Sequence, residues 1–290
     1  MENDKNQQVI IIGGGPAGVS AALYLARAGV RTTIIENGPG ALAKAHKIDN
    51  YYGIAASGEK LYATGLEQAK ALGVTVMQDE VLSVEYFDAF TLSLKKHAEQ
   101  LTAPALLLAT GTKNITLNLP GLVQLEGKGI SYCAVCDGFF FRKKNVAVLG
   151  SGAYALHEAE YLRHLAGSVT LLTNGASGEL AQAAGFAVKT EKLAQLNGEA
   201  KLASISFADG SELTVDGLFI AMGTADSTDI ARKLGAQING RFIKIDADGK
   251  TNIPGLFAAG DCTGGLLQVS KAVHEGARAG LAALNFIRNK

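Results

Sequence analysis

The chain has 290 residues, 48% apolar and 19% charged, a make-up that excludes a disordered or fibrous protein and gives enough length for two domains with separate cores. Its 27 Lys and Arg match 27 Asp and Glu, which argues against a nucleic-acid binder, since such a protein is basic overall or along one stripe. No apolar run reaches the roughly 18 residues of a membrane span.

The N-terminus, Met1-Glu2-Asn3-Asp4-Lys5-Asn6-Gln7-Gln8, is polar and has no signal-peptide core. The expected location is therefore the cytoplasm, where thiols are kept reduced and a close cysteine pair is more often catalytic than structural. Residues 9–12 form a short apolar run ending in glycines, the pattern of a buried parallel strand. Gly13-x-Gly15-x-x-Gly18 follows and leads into an Ala/Leu-rich helix predicted over about 16–28. Its glycines suit a tight turn, a close approach of backbone to pyrophosphate, and close helix–strand packing, and the helix start offers free N–H groups to phosphate. Residues 31–35 read as the second strand, ended by Glu36, whose carboxylate can accept hydrogen bonds from ribose hydroxyls. Strand, glycine turn, helix, second strand and terminal acid together make a specific dinucleotide signal. Beyond a loop at Gly38-Pro39-Gly40, a helix is predicted over 62–72 and strands over 74–77, 81–87, 91–94 and 101–109, the last closed by Thr110-Gly111. These strands are more than a plain Rossmann half needs and suggest an added antiparallel layer.

Cys133-Ala134-Val135-Cys136-Asp137-Gly138 comes next. The C-x-x-C spacing serves zinc sites and redox dithiols alike. A zinc site takes about four ligands, and the chain has no second C-x-x-C and no histidine pair to complete one. The pair therefore reads as a redox dithiol. The remaining cysteine, Cys262, reads as a small buried residue, and the five histidines show no metal spacing.

A second unit begins with a strand over 145–149, Gly150-x-Gly152-x-x-Ala155, a helix over 155–166 and a strand over 169–172. At the end of that strand stand Thr173-Asn174-Gly175, with no acid for a ribose 2′-hydroxyl and no arginine for a 2′-phosphate. Tyr154 is expected to set a bulky ring beside the turn. The fold element is thus kept while the nicotinamide contacts are missing. Residues 217–222 close the unit as a strand. Gly255-Leu256-Phe257-Ala258-Ala259-Gly260-Asp261 and a helix over 269–287 then return to complete the first domain.

These residues resemble the low-molecular-weight thioredoxin reductases across essentially the whole chain, anchored by Gly13 to Gly18, Glu36, Thr110-Gly111, the run from Cys133 through Phe140, and Gly260-Asp261. The resemblance implies an α/β fold of two Rossmann-like three-layer dinucleotide-binding domains, the second inserted into the first. An FAD domain would span 1–112 and 226–290, and a dithiol domain with a degenerate nicotinamide-binding fold would span 113–225. It further implies FAD held by Gly13, Gly15, Pro16, Ala17, Gly18, Glu36, Asn50, Thr110, Gly111, Gly260, Asp261 and Gln268. Cys136 would exchange electrons with the flavin, Cys133 would attack the substrate disulfide, Asp137 would be the proton donor, and Phe139 and Phe140 would receive thioredoxin unless they are packed in the core. A homodimer and a swing of one domain against the other are also implied.

The chain departs from the family pattern in three places. Gly40-Ala41-Leu42 stands where Gly-Gly-Gln is usual, and Tyr51-Tyr52 replaces an aromatic–proline pair. The family's basic His-Arg-Arg stretch aligns with Thr173-Asn174-Gly175, which is similar to the ferredoxin-dependent flavin thioredoxin reductases. Such a donor is energetically sufficient: plant-type ferredoxins lie near about −400 mV and thioredoxin-type dithiols near about −270 mV, a drop of roughly 6 kcal/mol for two electrons. An acidic ferredoxin calls for a basic docking face, for which Lys44, His46 and Lys47, or Arg142-Lys143-Lys144, are candidates. Two other readings stay open at this stage, a nicotinamide-dependent thioredoxin reductase with unusual contacts and a dioxygen-dependent dithiol oxidase of the same fold.

Overall fold

The structure, a computed structural model, describes residues 8–112, 117–132, 134–223 and 227–290, and of Cys136 the backbone only. The chain divides into two compact units, Met1–Lys113 with Asp226–Lys290, and Asn114–Ala225. The fold is α/β, each unit Rossmann-like and the second inserted into the first.

In the first unit five parallel strands lie in the order Leu256–Ala258, Ala105–Leu108, Gln8–Ile12, Arg31–Glu36, Thr75–Gln78. The runs of Ile, Leu and Ala in the first four are buried along almost their whole length, as parallel strands covered on both faces require, while the edge strand Thr75–Gln78 is more exposed. The glycine-turn helix Pro16–Arg27 packs on the last helix, Val269–Arg288. Two small residues four apart make that approach close. A Cβ on Gly276 would overlap the Ala17 carbonyl, and one on Gly280 would stand 2.9 Å from Ala21. A three-stranded antiparallel layer, Val81–Tyr86, Phe90–Leu94 and Leu101–Ala103, completes the unit.

The single strand predicted over 101–109 is two strands in two different sheets. Leu101–Ala103 ends the antiparallel layer, and Ala105–Leu108 enters the parallel sheet beside Gln8–Ile12. Pro104 between them has no N–H to donate, so the ladder stops there and the chain changes sheet. The helix predicted from 62 begins at Gly58, because Ser57 caps it by accepting a hydrogen bond from the Lys60 amide at 3.2 Å.

The second unit repeats the plan, with parallel strands in the order Ala187–Lys189, Ser168–Leu172, Asn145–Leu149, Gly217–Ile220, Ile130–Ser131. Its own antiparallel sheet, Leu193–Asn197, Ser204–Phe207 and Glu212–Thr214, went unread in the sequence. It buries Leu193, Leu196, Ile205 and Phe207 in one core with Ala147, Leu149 and Leu172.

Candidate functional site

The first glycine turn is shaped by its neighbours. Gly13 has φ +116°, its amide donates to the Ile35 carbonyl at 2.8 Å, and a side chain there would run into the Ala109 carbonyl. Gly18 must lack a Cβ because the Gly13 carbonyl already fills that space. Gly15 is different: a Cβ there would meet no atom within 4 Å, and no side chain caps the helix that starts at Pro16. The turn therefore presents an open cradle at an uncapped helix N-terminus, the arrangement that accepts a phosphate. Ala17 is buried behind it, and Gly260 comes within 3.0 Å of the Ala17 methyl, measured from the Cβ position of the glycine.

Glu36 ends the second strand and is buried. Its Oε2 accepts from the Gly38 amide at 2.7 Å and from the Tyr62 hydroxyl in a short bond, while Oε1 has no hydrogen-bond partner among the described residues. Burial, and then the hydrogen bond and charge of Glu36, hold the Tyr62 phenol above its usual value. Sequence reasoning missed Tyr62, which is set 26 residues from its partner and belongs to a helix with no motif of its own.

Thr110 is tied to Ser227. The Thr110 amide donates to the serine hydroxyl at 3.0 Å, the two hydroxyls lie 2.9 Å apart, and the Ser227 amide donates back at 2.8 Å. This clip fastens the end of the Ala105–Leu108 strand to the returning chain, 117 residues on, and Gly111 follows with φ +73°. Asn50 and Gln268 also meet, the Asn50 amide donating to Gln268 Oε1 at 3.0 Å across 218 residues.

The Gly260-Asp261 turn is held by two residues that the sequence reading did not single out. Glu275 Oε2 accepts from the Gly260 amide at 2.9 Å, and Lys271 Nζ donates to the Gly260 carbonyl at 2.7 Å and to Thr263 Oγ1 at 2.8 Å. Lys271 and Glu275 pair with each other at 2.9 Å. Their spacing of four on the last helix was the available signal. Burial raises the Asp261 carboxyl above its ordinary value, Lys271 opposes this and Glu275 adds to it. Cys262 beside it is fully buried, its thiol pushed up to about 12 by burial.

A cavity of about 240 Å³ joins Gly15 and Pro16 to Tyr51 and Val269, the neighbours of Asn50 and Gln268. Leu42, at the place where the family has glutamine, lines it as an apolar wall. The structure thus places the glycine turn, Glu36, Gly260-Asp261 and the Asn50–Gln268 pair in one unit, with the glycine turn lining the cavity.

In the second unit Cys133 lies outside the described residues, as does the Cys136 side chain. Residues Ala134–Asp137 form one helical turn, which includes Cys136. Asp137 Oδ2 accepts from the Ser131 hydroxyl at 2.6 Å, and the Ala134 amide donates to Glu158 Oε2 at 2.9 Å. Val135, Phe139 and Phe140 are 53%, 66% and 69% exposed. Core packing of the phenylalanine pair is therefore ruled out. Phe141 takes that role, edge-on to Phe219 with ring centres 5.2 Å apart.

The second glycine turn keeps the first one's backbone. The Gly150 amide donates to the Leu172 carbonyl at 2.9 Å, and a Cβ on Gly150 would overlap the Ala221 carbonyl. The strand that follows ends differently. The Thr173 hydroxyl donates to the Ala176 carbonyl at 2.6 Å, Asn174 Oδ1 accepts from the Leu193 amide at 2.9 Å, and the Gly175 amide donates to the Thr190 carbonyl at 2.7 Å. Each polar group of this turn that these bonds use is turned inward on the unit itself. The Tyr154 side chain, expected beside this turn, is wholly buried, as are Ala155, Ala159 and Leu162 of the same helix. Both basic candidates lie on the surface, with Lys47 paired to Asp49 at 2.9 Å.

Comparison with known proteins agrees with these observations. The Pyridine nucleotide-disulphide oxidoreductase family matches residues 7–276. A thioredoxin reductase of Listeria innocua is 34% identical over 308 residues, covering 98% of this chain and 95% of that protein. The crystal structure of the atypical thioredoxin reductase TRi from Desulfovibrio vulgaris Hildenborough is 40% identical, with a TM-score of 0.92 over 98% of this chain and 99% of that one. The ferredoxin-flavin thioredoxin reductase of Clostridium acetobutylicum is 28% identical, with a TM-score of 0.73 over 98% of both chains. Thioredoxin reductases of this family are FAD flavoproteins. On its sequence, its fold and the geometry of its glycine turns, this chain belongs to the pyridine nucleotide-disulphide oxidoreductase family, among the low-molecular-weight thioredoxin reductases.

Proposed function

We propose that this protein reduces thioredoxin through Cys133 and Cys136, with FAD as its cofactor and a reduced ferredoxin rather than a nicotinamide as its electron donor. The observation that carries the donor assignment is the contrast between the two glycine turns. Glu36 keeps one carboxylate oxygen available at the end of its strand, whereas Thr173, Asn174 and Gly175 spend their polar groups on their own unit. The ferredoxin-flavin enzyme among the similar structures supports the same reading.

The residues present fit FAD. The open space at Gly15 and the uncapped helix start suit a pyrophosphate, and Glu36 Oε1 suits a ribose hydroxyl. Gly260-Asp261, clamped by Lys271 and Glu275, would serve the ribityl side, with Asn50 and Gln268 toward the ring system and Thr110-Gly111 closing the cleft. When bound, FAD supplies a store for electrons that arrive singly and leave as a pair.

The chemistry on the protein side is dithiol–disulfide exchange. The Cys133 thiolate bonds to one thioredoxin sulfur, the thioredoxin disulfide breaks, and the departing sulfur takes a proton from Asp137, which Ser131 holds in place. Cys136, as thiolate, then attacks the Cys133 sulfur of this mixed disulfide, the bond from Cys133 to thioredoxin breaks, that thioredoxin sulfur leaves as a thiolate that takes up a proton from solvent, and the Cys133–Cys136 disulfide closes. Two electrons have passed to thioredoxin. Exposed Val135, Phe139 and Phe140 beside the pair offer thioredoxin an apolar landing surface, with Arg142, Lys143 and Lys144 next to it. A cytoplasmic homodimer completes the proposal.

The test is anaerobic mixing of the oxidised, flavin-loaded protein with NADPH, with NADH and with reduced ferredoxin while flavin absorbance is followed. Bleaching by ferredoxin alone is expected. Rapid bleaching by either nicotinamide overturns the donor assignment, and hydrogen peroxide formation from small dithiols, with no thioredoxin reduction, overturns the reductase reading.

A further inference from the structure

Glu36 is gripped at both ends of its side chain. Its stem packs against the glycine turn, where the position a Cβ would take on Gly14 lies 2.9 Å from Glu36 Cβ and 3.2 Å from Leu66 Cδ2. Its head is held by two donors on one oxygen, the Gly38 amide at 2.7 Å and the Tyr62 hydroxyl, both on Oε2. Tyr62 and Leu66 stand four apart on the helix Gly58–Ala71 and so share a face. That helix has a fixed start. Ser57 caps it, the Gly58 amide donates to the Ala45 carbonyl at 2.7 Å, and a Cβ on Gly58 would overlap the Leu42 carbonyl. The Tyr62 ring is partly buried against the core of the unit and lines the cavity with Gly15 and Pro16.

We propose that Tyr62 is a positioning residue for FAD, one that pins the Glu36 carboxylate through Oε2, leaves Oε1 as the acceptor for the adenosine ribose, and so sets the preference of this protein for FAD over a flavin without adenosine. The inference rests on the reading of Glu36 as the ribose partner of FAD and is independent of the electron donor and of thioredoxin. A buried carboxylate has to be hydrogen-bonded, and the two donors on Oε2 satisfy one of its oxygens. Oε1 has no partner among the described residues, so a ribose hydroxyl can donate to it, and the charge of the acceptor strengthens that bond. The contribution of Tyr62 is orientation. With the Gly38 amide alone on Oε2 the carboxylate could pivot about that one bond. The phenol adds a second fixed point before the nucleotide arrives, and such preorganisation lowers the ordering cost of binding. Burial, and then the hydrogen bond and charge of Glu36, hold the phenol above its ordinary value, so it stays a donor. Phenylalanine would keep the ring and lose the pin. FMN carries no adenosine ribose, so it has nothing to give Oε1 and no use for Tyr62.

The experiment uses the full-length FAD-loaded protein, Tyr62→Phe, Glu36→Ala and the double variant. Affinity for FAD is read from flavin fluorescence on dilution. Equilibrium exchange gives the affinity for FMN and for an FAD analogue without the adenosine 2′- and 3′-hydroxyls, the bound flavin being identified after separation from free flavin. Tyr62→Phe should weaken FAD binding roughly fivefold and leave FMN binding unchanged. The wild-type protein should favour FAD over the dideoxy analogue by about tenfold, and Tyr62→Phe should reduce that preference by the same roughly fivefold factor. In the Glu36→Ala background the tyrosine substitution should add less than about twofold, because the group it positions is gone. A folded Tyr62→Phe protein that binds FAD as tightly as wild type, or that loses FAD and FMN alike, overturns the inference and leaves Glu36 as the ribose partner. Wild-type protein that binds the dideoxy analogue as tightly as FAD removes the ribose contact itself and the inference with it, whether or not Tyr62→Phe folds.

Discussion

Gly13 and Gly150 stand at matching places in two copies of one architecture. Each follows the central strand of a five-stranded parallel sheet, and each donates its amide to the neighbouring strand, Ile35 in one unit and Leu172 in the other. Each is barred from carrying a side chain by the carbonyl of a third strand's end, Ala109 or Ala221. The two units part at the end of the motif and at the end of the following strand. The third glycine-motif position is Gly18 in the first and Ala155 in the second, and the strand end is Glu36 in one and Thr173 in the other. The shared backbone features are ones that packing of the strands and the helix demands in either unit. The residue at the strand end is not fixed by that packing, so it is free to differ.

The largest effect expected in testing this contrast is the separation of the two redox tasks. Cys136→Ser should retain FAD in the first unit and lose thioredoxin reduction by more than about a thousandfold, since no second thiolate closes the disulfide. Full turnover in that variant would remove the dithiol from the mechanism.

Next comes the paired substitution that treats the two turns alike. Gly13→Ala and Gly150→Ala should each destabilise the protein by about 2–4 kcal/mol, because both methyl groups enter a carbonyl. In urea titrations the two should be comparable, while flavin content should fall only for Gly13→Ala. Equal flavin loss in both would mean that the second turn also serves the cofactor.

The ligand-facing residues should then differ by a smaller margin. Glu36→Gln replaces a charged acceptor and should weaken FAD binding roughly tenfold, read from flavin fluorescence on dilution. Thr173→Val in the second unit should leave flavin binding and ferredoxin-driven turnover unchanged, costing only the hydroxyl's bond to Ala176.

The smallest expected effect is a pH dependence confined to the first unit. Burial works against ionisation of Asp79, but His97 at 2.5 Å and the amides of Glu80 and Lys96 outweigh it and hold the carboxyl below its ordinary 3.8. A carboxyl lowered in the folded state stabilises the fold above its unfolded value, and that contribution is lost as pH falls through the folded one. Asp79→Asn should therefore cost about 1–2 kcal/mol at pH 7 and flatten the acid limb of the stability curve between pH 5 and roughly pH 2. An unchanged acid limb would assign acid sensitivity to other groups.

Much of this molecule is legible in its residues taken in order. Apolar runs closed by glycine mark the central strands, since a strand buried on both faces has no polar alternation to hide it. Gly13, Gly15, Gly18 and Glu36 announce the first turn, and the missing acid after residue 172 announces the difference in the second. Cys133 and Cys136 declare themselves by spacing. What remained hidden depends on partners far apart in the chain. Tyr62 on Glu36, Ser227 on Thr110, Lys271 and Glu275 on Gly260, and Glu158 on Ala134 have no motif, because a hydrogen bond formed across 11 to 117 residues leaves no local pattern. The sheet change at Pro104 and the second antiparallel sheet were hidden for a related reason. Short strands take their sheet from whatever edge the fold presents, and only folding supplies that edge. By itself the sequence determined the two glycine turns, the dithiol and the acid that one turn has and the other lacks, since each is a matter of residue type at fixed spacing. Tertiary structure alone decided which side chains clamp those features, because that depends on distances no spacing records.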